Sequence, residues 1–205
     1  MDTTQNSNAS TTQRARTRKL TFYHPNANGN GTAVEIEVAP ATPDRDGQVF
    51  VSIAPQNPNP ENVVVTASGK QCAAFFWKNR LCVKLSFQEV AEMLMVLSGK
   101  SKALLHGSKE GLFHASSEAN TTVSFKQSED SNHAGSIFFG VSRSLKSNPD
   151  SRQSLCFNFS PAEAFGLRMA LEQSMAILAF GIFSPFTAKK GLKPQEEAVA
   201  PSDPF

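Results

Sequence analysis

Leu81-Cys-Val-Lys-Leu-Ser-Phe-Gln-Glu-Val90 and Leu155-Cys-Phe-Asn-Phe-Ser-Pro-Ala-Glu-Ala164 read alike. In each, an alternating apolar segment runs straight into Ser-x-x-Glu. Alternation at period two marks a half-buried strand. Ser-x-x-Glu marks a capping box, in which the Ser hydroxyl accepts from the third helical amide and the Glu reaches back to the cap amide. Ser86 and Ser160 are therefore each expected to end a strand and start a helix. Pro161 fits the first helical position, where its missing N–H costs nothing. Capping boxes are common enough to coincide; the shared Leu-Cys favours one domain built from two similar halves.

At 205 residues and 40% hydrophobic, the chain allows one generous domain with tails. A net charge of +2 means that nucleic-acid binding would have to come from local patches. The aromatic set of 16 Phe against one Tyr and one Trp favours strands. Cys72, Cys82 and Cys156 form no C-x-x-C pair and read as free thiols in a reducing compartment. No secretory signal is visible, and the longest apolar run, 175–183, is too short to span a bilayer. The protein is expected to be soluble and cytoplasmic, with no membrane partner. The Ser/Thr/Arg-rich start lacks the apolar face of an organellar transit peptide.

Residues 1–17 have almost nothing to bury and are expected to be a disordered arm. Strands are expected at 20–24, 32–39, 49–54, 63–66, 71–78 and 80–85, leading into a helix at about 87–98 with Gly99 as its C-cap. Its apolar stripe is Val90, Met93 or Leu94, and Leu97. The second half repeats the plan with strands at 103–106, 112–115, 122–126, 136–142 and 153–159. A helix from Pro161 to Phe180 follows, striped by Ala164, Leu167, Leu171, Met175 and Leu178. Residues 184–205 show no periodicity and are expected to be a disordered tail. Connections this short exclude parallel crossovers, so the class is α+β with two antiparallel sheets and two helices.

This plan resembles the Whirly fold, the group holding the plant Whirly proteins, the kinetoplastid guide-RNA-binding proteins and, more distantly, the positive-cofactor-four coactivator. The matching segments are Thr32-Ala-Val-Glu-Ile-Glu-Val-Ala-Pro40, Trp77-Lys-Asn-Arg-Leu-Cys-Val-Lys-Leu-Ser-Phe-Gln-Glu-Val90, Leu104-Leu105-His106, and the stretches 134–142 and 154–164. The resemblance covers about 20–183 and implies a non-enzymatic single-stranded nucleic-acid-binding domain at 18–183. It also implies assembly through the helices as a homo-oligomer, a tetramer or dimer. One departure matters: the family's Lys-Gly-Lys-Ala-Ala motif is replaced by Asn30-Gly31-Thr32-Ala33, without a Lys.

The closing residues Glu196-Glu197-Ala-Val-Ala-Pro-Ser-Asp203-Pro204-Phe205 resemble the acidic, Pro-Phe-tipped tail of bacterial single-stranded DNA-binding proteins. That likeness implies docking of replication, repair or recombination proteins, in a bacterial, plasmid or phage setting, with an organelle as the other setting. Physically, the Phe205 ring would fill an apolar pocket while its carboxylate and Asp203 meet basic residues. An ordinary frayed terminus is the other reading.

Sequence-independent binding of a single strand needs cations along the phosphates and rings that stack on unpaired bases. The stretch 71–84 offers Phe75, Trp77, Lys78, Arg80 and Lys84, with Phe75 and Trp77 expected on one strand face. Trp77 is a stacking candidate or a core Trp. Lys19 and Tyr23 lie at the first strand. Lys100, Lys102 and Lys109 follow the first helix, and Lys126, Arg143 and Lys146 offer equivalents in the second half. Any single Lys or Arg among these can be mere surface charge. Gly99-Lys100-Ser101 lacks the earlier glycine of a phosphate loop. His24, His106, His114 and His133 have no zinc spacing with the cysteines, so no metal or cofactor is expected; His106 and His114 could meet across a hairpin. Glu35 and Glu37 share one strand face and read as a solvated edge. Three functions follow: single-stranded DNA binding, the same fold used on RNA, and an interaction protein that touches no nucleic acid.

Overall fold

The structure, a computed structural model, describes residues 19–59, 63–65, 67–69, 71–106, 109–129 and 134–182, without the side chains of 106 and 149. The arm at 1–17 and the tail at 184–205, with Asp203, Pro204 and Phe205, lie outside the described residues.

The alternating segments pair into two antiparallel sheets. In the first, β1 (Leu20–His24), β2 (Thr32–Ala39) and β3 (Gln48–Pro55) form a meander. The chain then makes a separate hairpin of β4 (Val63–Val65) and β5 (Gln71–Ala73) before β6 (Leu81–Leu85) returns beside β3. Helix α1 (Phe87–Leu97) follows. After a small hairpin of β7 (Leu105–His106) and β8 (Lys109–Glu110), the second sheet forms as a meander. Its strands are β9 (Leu112–Ala115), β10 (Ala119–Gln127), β11 (Ile137–Leu145) and β12 (Asn148–Phe159). Helix α2 (Pro161–Phe180) completes the described chain. Among the described residues, no helix is long and apolar enough to cross a membrane.

Parity along each strand decides which face is buried. Val34 and Ile36 of β2, Val49, Val51 and Ile53 of β3, and Leu81, Val83 and Leu85 of β6 point inward. Val123 and Phe125, then Ile137, Phe139 and Val141, then Phe157 and Phe159 do the same in the second sheet. All join one core with Val90, Met93 and Val96 of α1 and Ala164, Leu167, Leu171 and Leu178 of α2. Leu94, Leu97 and Met175 pack against its rim. Phe22 of β1 reaches across to Phe159, edge to face at 5.2 Å, so aromatic contacts join the two sheets.

Both capping boxes form. The amide of Glu89 donates to Ser86 Oγ (3.3 Å) and the Ser86 amide to Glu89 Oε2 (2.8 Å). The second box repeats this at 3.4 and 2.9 Å between Ser160 and Glu163. Gly99, at φ +75°, ends α1 in a Schellman arrangement: its amide bonds Val96 O and that of Lys100 bonds Met95 O. The capping carboxylates have a second partner that spacing did not foretell. His24, on edge strand β1, donates to Glu163 of α2 (2.9 Å); His114, on edge strand β9, donates to Glu89 of α1 (2.6 Å). Each half thus grips the other half's helix at its first turn. Burial raises the pKa of each carboxyl. Hydrogen bonds from the Ser amide, the Ser hydroxyl and the His outweigh it, and the net shift is downward for both Glu89 and Glu163.

Several boundaries move. The expected strand at 71–78 stops at Ala73, because its partner β4 has only three residues. Phe75 bridges Gln56 instead, and Trp77–Asn79 coils into a 3₁₀ turn, so Phe75 and Trp77 do not share a strand face. The strand expected at 103–106 is a bridge from Ala103 to Lys126 followed by β7. The second sheet is longer than its apolar alternation, since pairing continues through 119–121 of β10, 143–145 of β11 and, across an irregularity, Arg152 and Asn148 of β12. There a turn at Lys146 and Ser147, with a register shift at Ser144/Leu145, replaces the longer loop. His114 lies opposite Thr121, while His106 pairs with Lys109, so the two histidines do not meet across a hairpin.

Candidate nucleic-acid interface

Strand β12 crosses the ends of the first sheet. Gln153 Nε2 donates to the Asn79 carbonyl (3.1 Å), and Thr32 Oγ1 donates to the Cys156 carbonyl (2.8 Å). Arg143 lies on the inward parity of β11, beyond Val141, where the core ends and β6 begins. Its Nη2 donates to Cys82 O (2.6 Å) and its Nε to Thr121 Oγ1 (3.2 Å). Two neighbouring concavities of about 330 Å³ each share Arg143 and Leu145. Lys84, His114 and Glu118 line one; Ser151, Arg152 and Gln153 line the other. The result is a trough at the sheet junction carrying Lys84, Arg143 and Arg152 from three strands. Lys146 is exposed in the adjoining turn.

The outer face of the second sheet leads away from this trough. By parity it presents Asn120, Thr122, Ser124 and Lys126 of β10, Phe138, Gly140, Ser142 and Ser144 of β11, and Arg152, Ser154, Cys156 and Asn158 of β12. Gly140 has a specific reason. A Cβ there would come within 2.9 Å of Phe138 Cε1 and 3.0 Å of its Cζ, so the Phe138 ring lies down over the glycine. Lys126 stands opposite Phe138, and Phe113, 54% exposed, stands opposite Thr122. Ser142 and Ser154 share a hydrogen bond of 2.7 Å across the strands. The Gln127 amide donates to the Lys102 carbonyl, which sets Lys102 and Lys126 at one end of the face. Lys146 and Arg152 mark the other, next to the trough that holds Arg143. A nine-residue strand such as β11 spans roughly 30 Å.

The remaining candidates lie apart. Tyr23 is 55% exposed, with its ring 5.5 Å from that of half-buried Phe75. Trp77 is half-buried in the 3₁₀ turn, and its carbonyl accepts from Arg80 Nη1 (2.8 Å). Lys78 and Arg80 are exposed beside it. Lys19 is held by Glu35 (2.7 Å) and Glu37 (3.3 Å); chiefly the Glu35 hydrogen bond raises its pKa. Lys100 is exposed past the end of α1 and Lys109 in β8.

Solved structures with this arrangement exist. WHY1 of Arabidopsis thaliana superposes with a TM-score of 0.55 at 15% identity, over 82% of this chain and 88% of that one. WHY3 of the same plant gives 0.54 at 17% identity, over 80% and 90%. The fold is the Whirly fold. MRP1/MRP2 of Trypanosoma brucei reaches a TM-score of 0.50 at 15% identity, over 78% of this chain and 92% of that one. No family model matches the sequence, and no curated protein matches it.

Within this Whirly fold, three residues of the face and trough escaped the sequence reading: Phe113, Phe138 and Arg152. A usable signal for Phe138 was present. An aromatic residue two places before a glycine in an alternating strand has room to lie flat on the sheet. Arg152 had no such signal, because the strand status of 148–152 depends on pairing with β11.

Proposed function

We propose that this Whirly-fold chain binds single-stranded nucleic acid, DNA in the first place, along the outer face of its second sheet and into the junction trough. The observation that carries this reading is the Phe138 ring seated on Gly140, on an open sheet face with cations at both ends. A ring lying on a sheet stacks on an unpaired base without regard to its identity, at roughly 1–3 kcal/mol per base. Serine and threonine hydroxyls beside it suit phosphate and sugar oxygens. Arg143, fixed by two hydrogen bonds, is a preorganised cation, whereas ion-paired Lys19 contributes less. No step of covalent chemistry is required.

The helices supply a second half of the proposal. Phe165 (64% exposed), Met169 and Phe180 (72%) form an apolar run on the outside of α2, with Ile182 exposed beyond its C-cap and Phe87 and Met95 exposed on α1. Such a surface suits burial between copies of the chain in a dimer or tetramer. From the sequence alone, we propose further that Asp203, Pro204 and Phe205 recruit DNA-processing proteins; removal of Phe205 is expected to end that capture without changing oligonucleotide affinity.

Fluorescence anisotropy of a labelled oligo-dT across a salt series tests the main reading. Log K is expected to fall with log salt at a slope of about −0.7 per phosphate neutralised. Absence of binding at low salt, or a flat response, rejects it. A matched oligo-U decides between DNA and RNA, since only RNA offers 2′-hydroxyls.

A further inference from the structure

Phe113 is held outward by its neighbours. Leu112 enters the core, and His114 grips Glu89 of α1 (2.6 Å). A slip of one residue would reverse both, so the parity of β9 is fixed and the ring of Phe113 stays on the open face. It is more than half exposed, although Phe is usually an inside residue. The register places it opposite Thr122, which stands opposite Ser142. Gly140, which carries the Phe138 ring, is two residues along β11 from Ser142 and opposite Ser124. With strands about 4.8 Å apart and residues about 3.4 Å apart, the two ring positions are roughly 12 Å from each other on a diagonal of the sheet.

The ground between the rings is polar. Thr122 and Ser124 of β10 flank the diagonal with hydroxyls, and Lys126 closes the Phe138 end. A protein partner would call for a contiguous apolar patch. Rings set apart by hydroxyls, beside a cation, instead match flat bases joined by charged, oxygen-rich links. The spacing adds a condition. Neighbouring nucleotides of a duplex strand stand about 3.4 Å apart along the axis. A base on Phe138 and a base on Phe113 therefore cannot belong to one continuous stack, and the strand between them must be drawn open.

We infer that Phe113 is a second base-stacking seat, and that a bound strand crosses the second sheet obliquely, from β11 over β10 to β9, with one base on each ring. The inference rests on the nucleic-acid reading above. It adds the path of the strand and a reason for refusing duplex, since a paired helix keeps its bases stacked and cannot serve both rings.

The full chain is titrated with a labelled oligo-dT and with a strand of the same length whose sugars carry no bases. Phe113→Ala is expected to lose about fivefold or more in oligo-dT affinity, the lower end for one stacked base. Its salt slope is expected to stay unchanged, because no phosphate contact is removed. On the abasic strand the variant and the wild type are expected to bind alike, which a merely structural role for the ring would not give. Phe113→Trp is expected to keep the affinity and to add an emission, over that of Trp77, that is quenched when oligo-dT binds. Unchanged oligo-dT affinity in Phe113→Ala, an equal loss on both strands, or added emission in Phe113→Trp that ignores the strand overturns the inference. The parent reading then still stands on the salt-dependent binding of the wild type. A wild type that binds neither strand overturns both.

Discussion

At the scale of single residues, the serines and glutamates at the two junctions carry more than their sequence spacing requires. Each Ser hydroxyl accepts the Glu amide and donates to the same Glu carboxylate, at 2.8 Å in both copies. Ser86→Ala and Ser160→Ala are each expected to cost about 1 kcal/mol in chemical denaturation, the usual value of a lost cap. Unchanged denaturation midpoints at both sites would contradict the capping role. Acid titration reads the same contacts through the glutamates. Glu89 and Glu163 have folded pKa values below the ordinary carboxyl value of 4.5. Their stabilisation is therefore complete above about that pH and is lost as pH falls through the lowered folded values, where the unfolded chain already holds the protons. His24→Ala/His114→Ala is expected to weaken this acid dependence, measured as unfolding free energy between neutral pH and about pH 3.

At the scale of elements, the capping boxes and the stripe of α2 were legible because each is a local pattern with a local cause; in α1 the expected Leu97 sits at the rim and Val96 takes the buried place, because the helix is turned slightly by its packing. Alternation likewise located the inward residues of β6, and the shared face of Glu35 and Glu37 marked the opposite, inward side of β2. What escaped was set by partners far away in sequence. The segment 71–78 alternates like a strand, yet only Gln71–Ala73 has a strand to pair with. Residues 148–152 look like a loop, yet Arg152 pairs with Ser144 and Asn148 with Leu145 of β11. The candidate site divides in the same way. Lys84 and Lys126 could be found as outward charges on strands, whereas Arg143 as a clasp between sheets and Phe138 as a seated ring needed the third dimension. Gly140→Val tests the ring. The new side chain is expected to lift Phe138 off the sheet and lower oligo-dT affinity several-fold, about one stacked base's worth. The melting temperature should change little, because the displaced atoms belong to the end of one side chain. An unchanged affinity in anisotropy would remove Phe138 from the interface.

At the scale of the whole molecule, oligomerisation and binding are expected to separate. Phe165→Glu places a charge on the exposed apolar run of α2. It is expected to shift the mass in solution towards the monomer, read by light scattering, while each protomer keeps its second-sheet face. A mass identical to the wild type's would show that α2 does not join copies.

The crossed histidine–glutamate contacts also bear on how the chain is made. His24 meets a carboxylate 139 positions later, at the start of the final described helix. A ribosome releasing the polypeptide from its amino end therefore delivers a first sheet whose border strand waits for 139 further residues before its histidine finds a partner. During that interval its inward valines and leucines have no finished roof. Truncated nascent chains ending before α2 should stay open to protease, and maturation should come in one late, cooperative step.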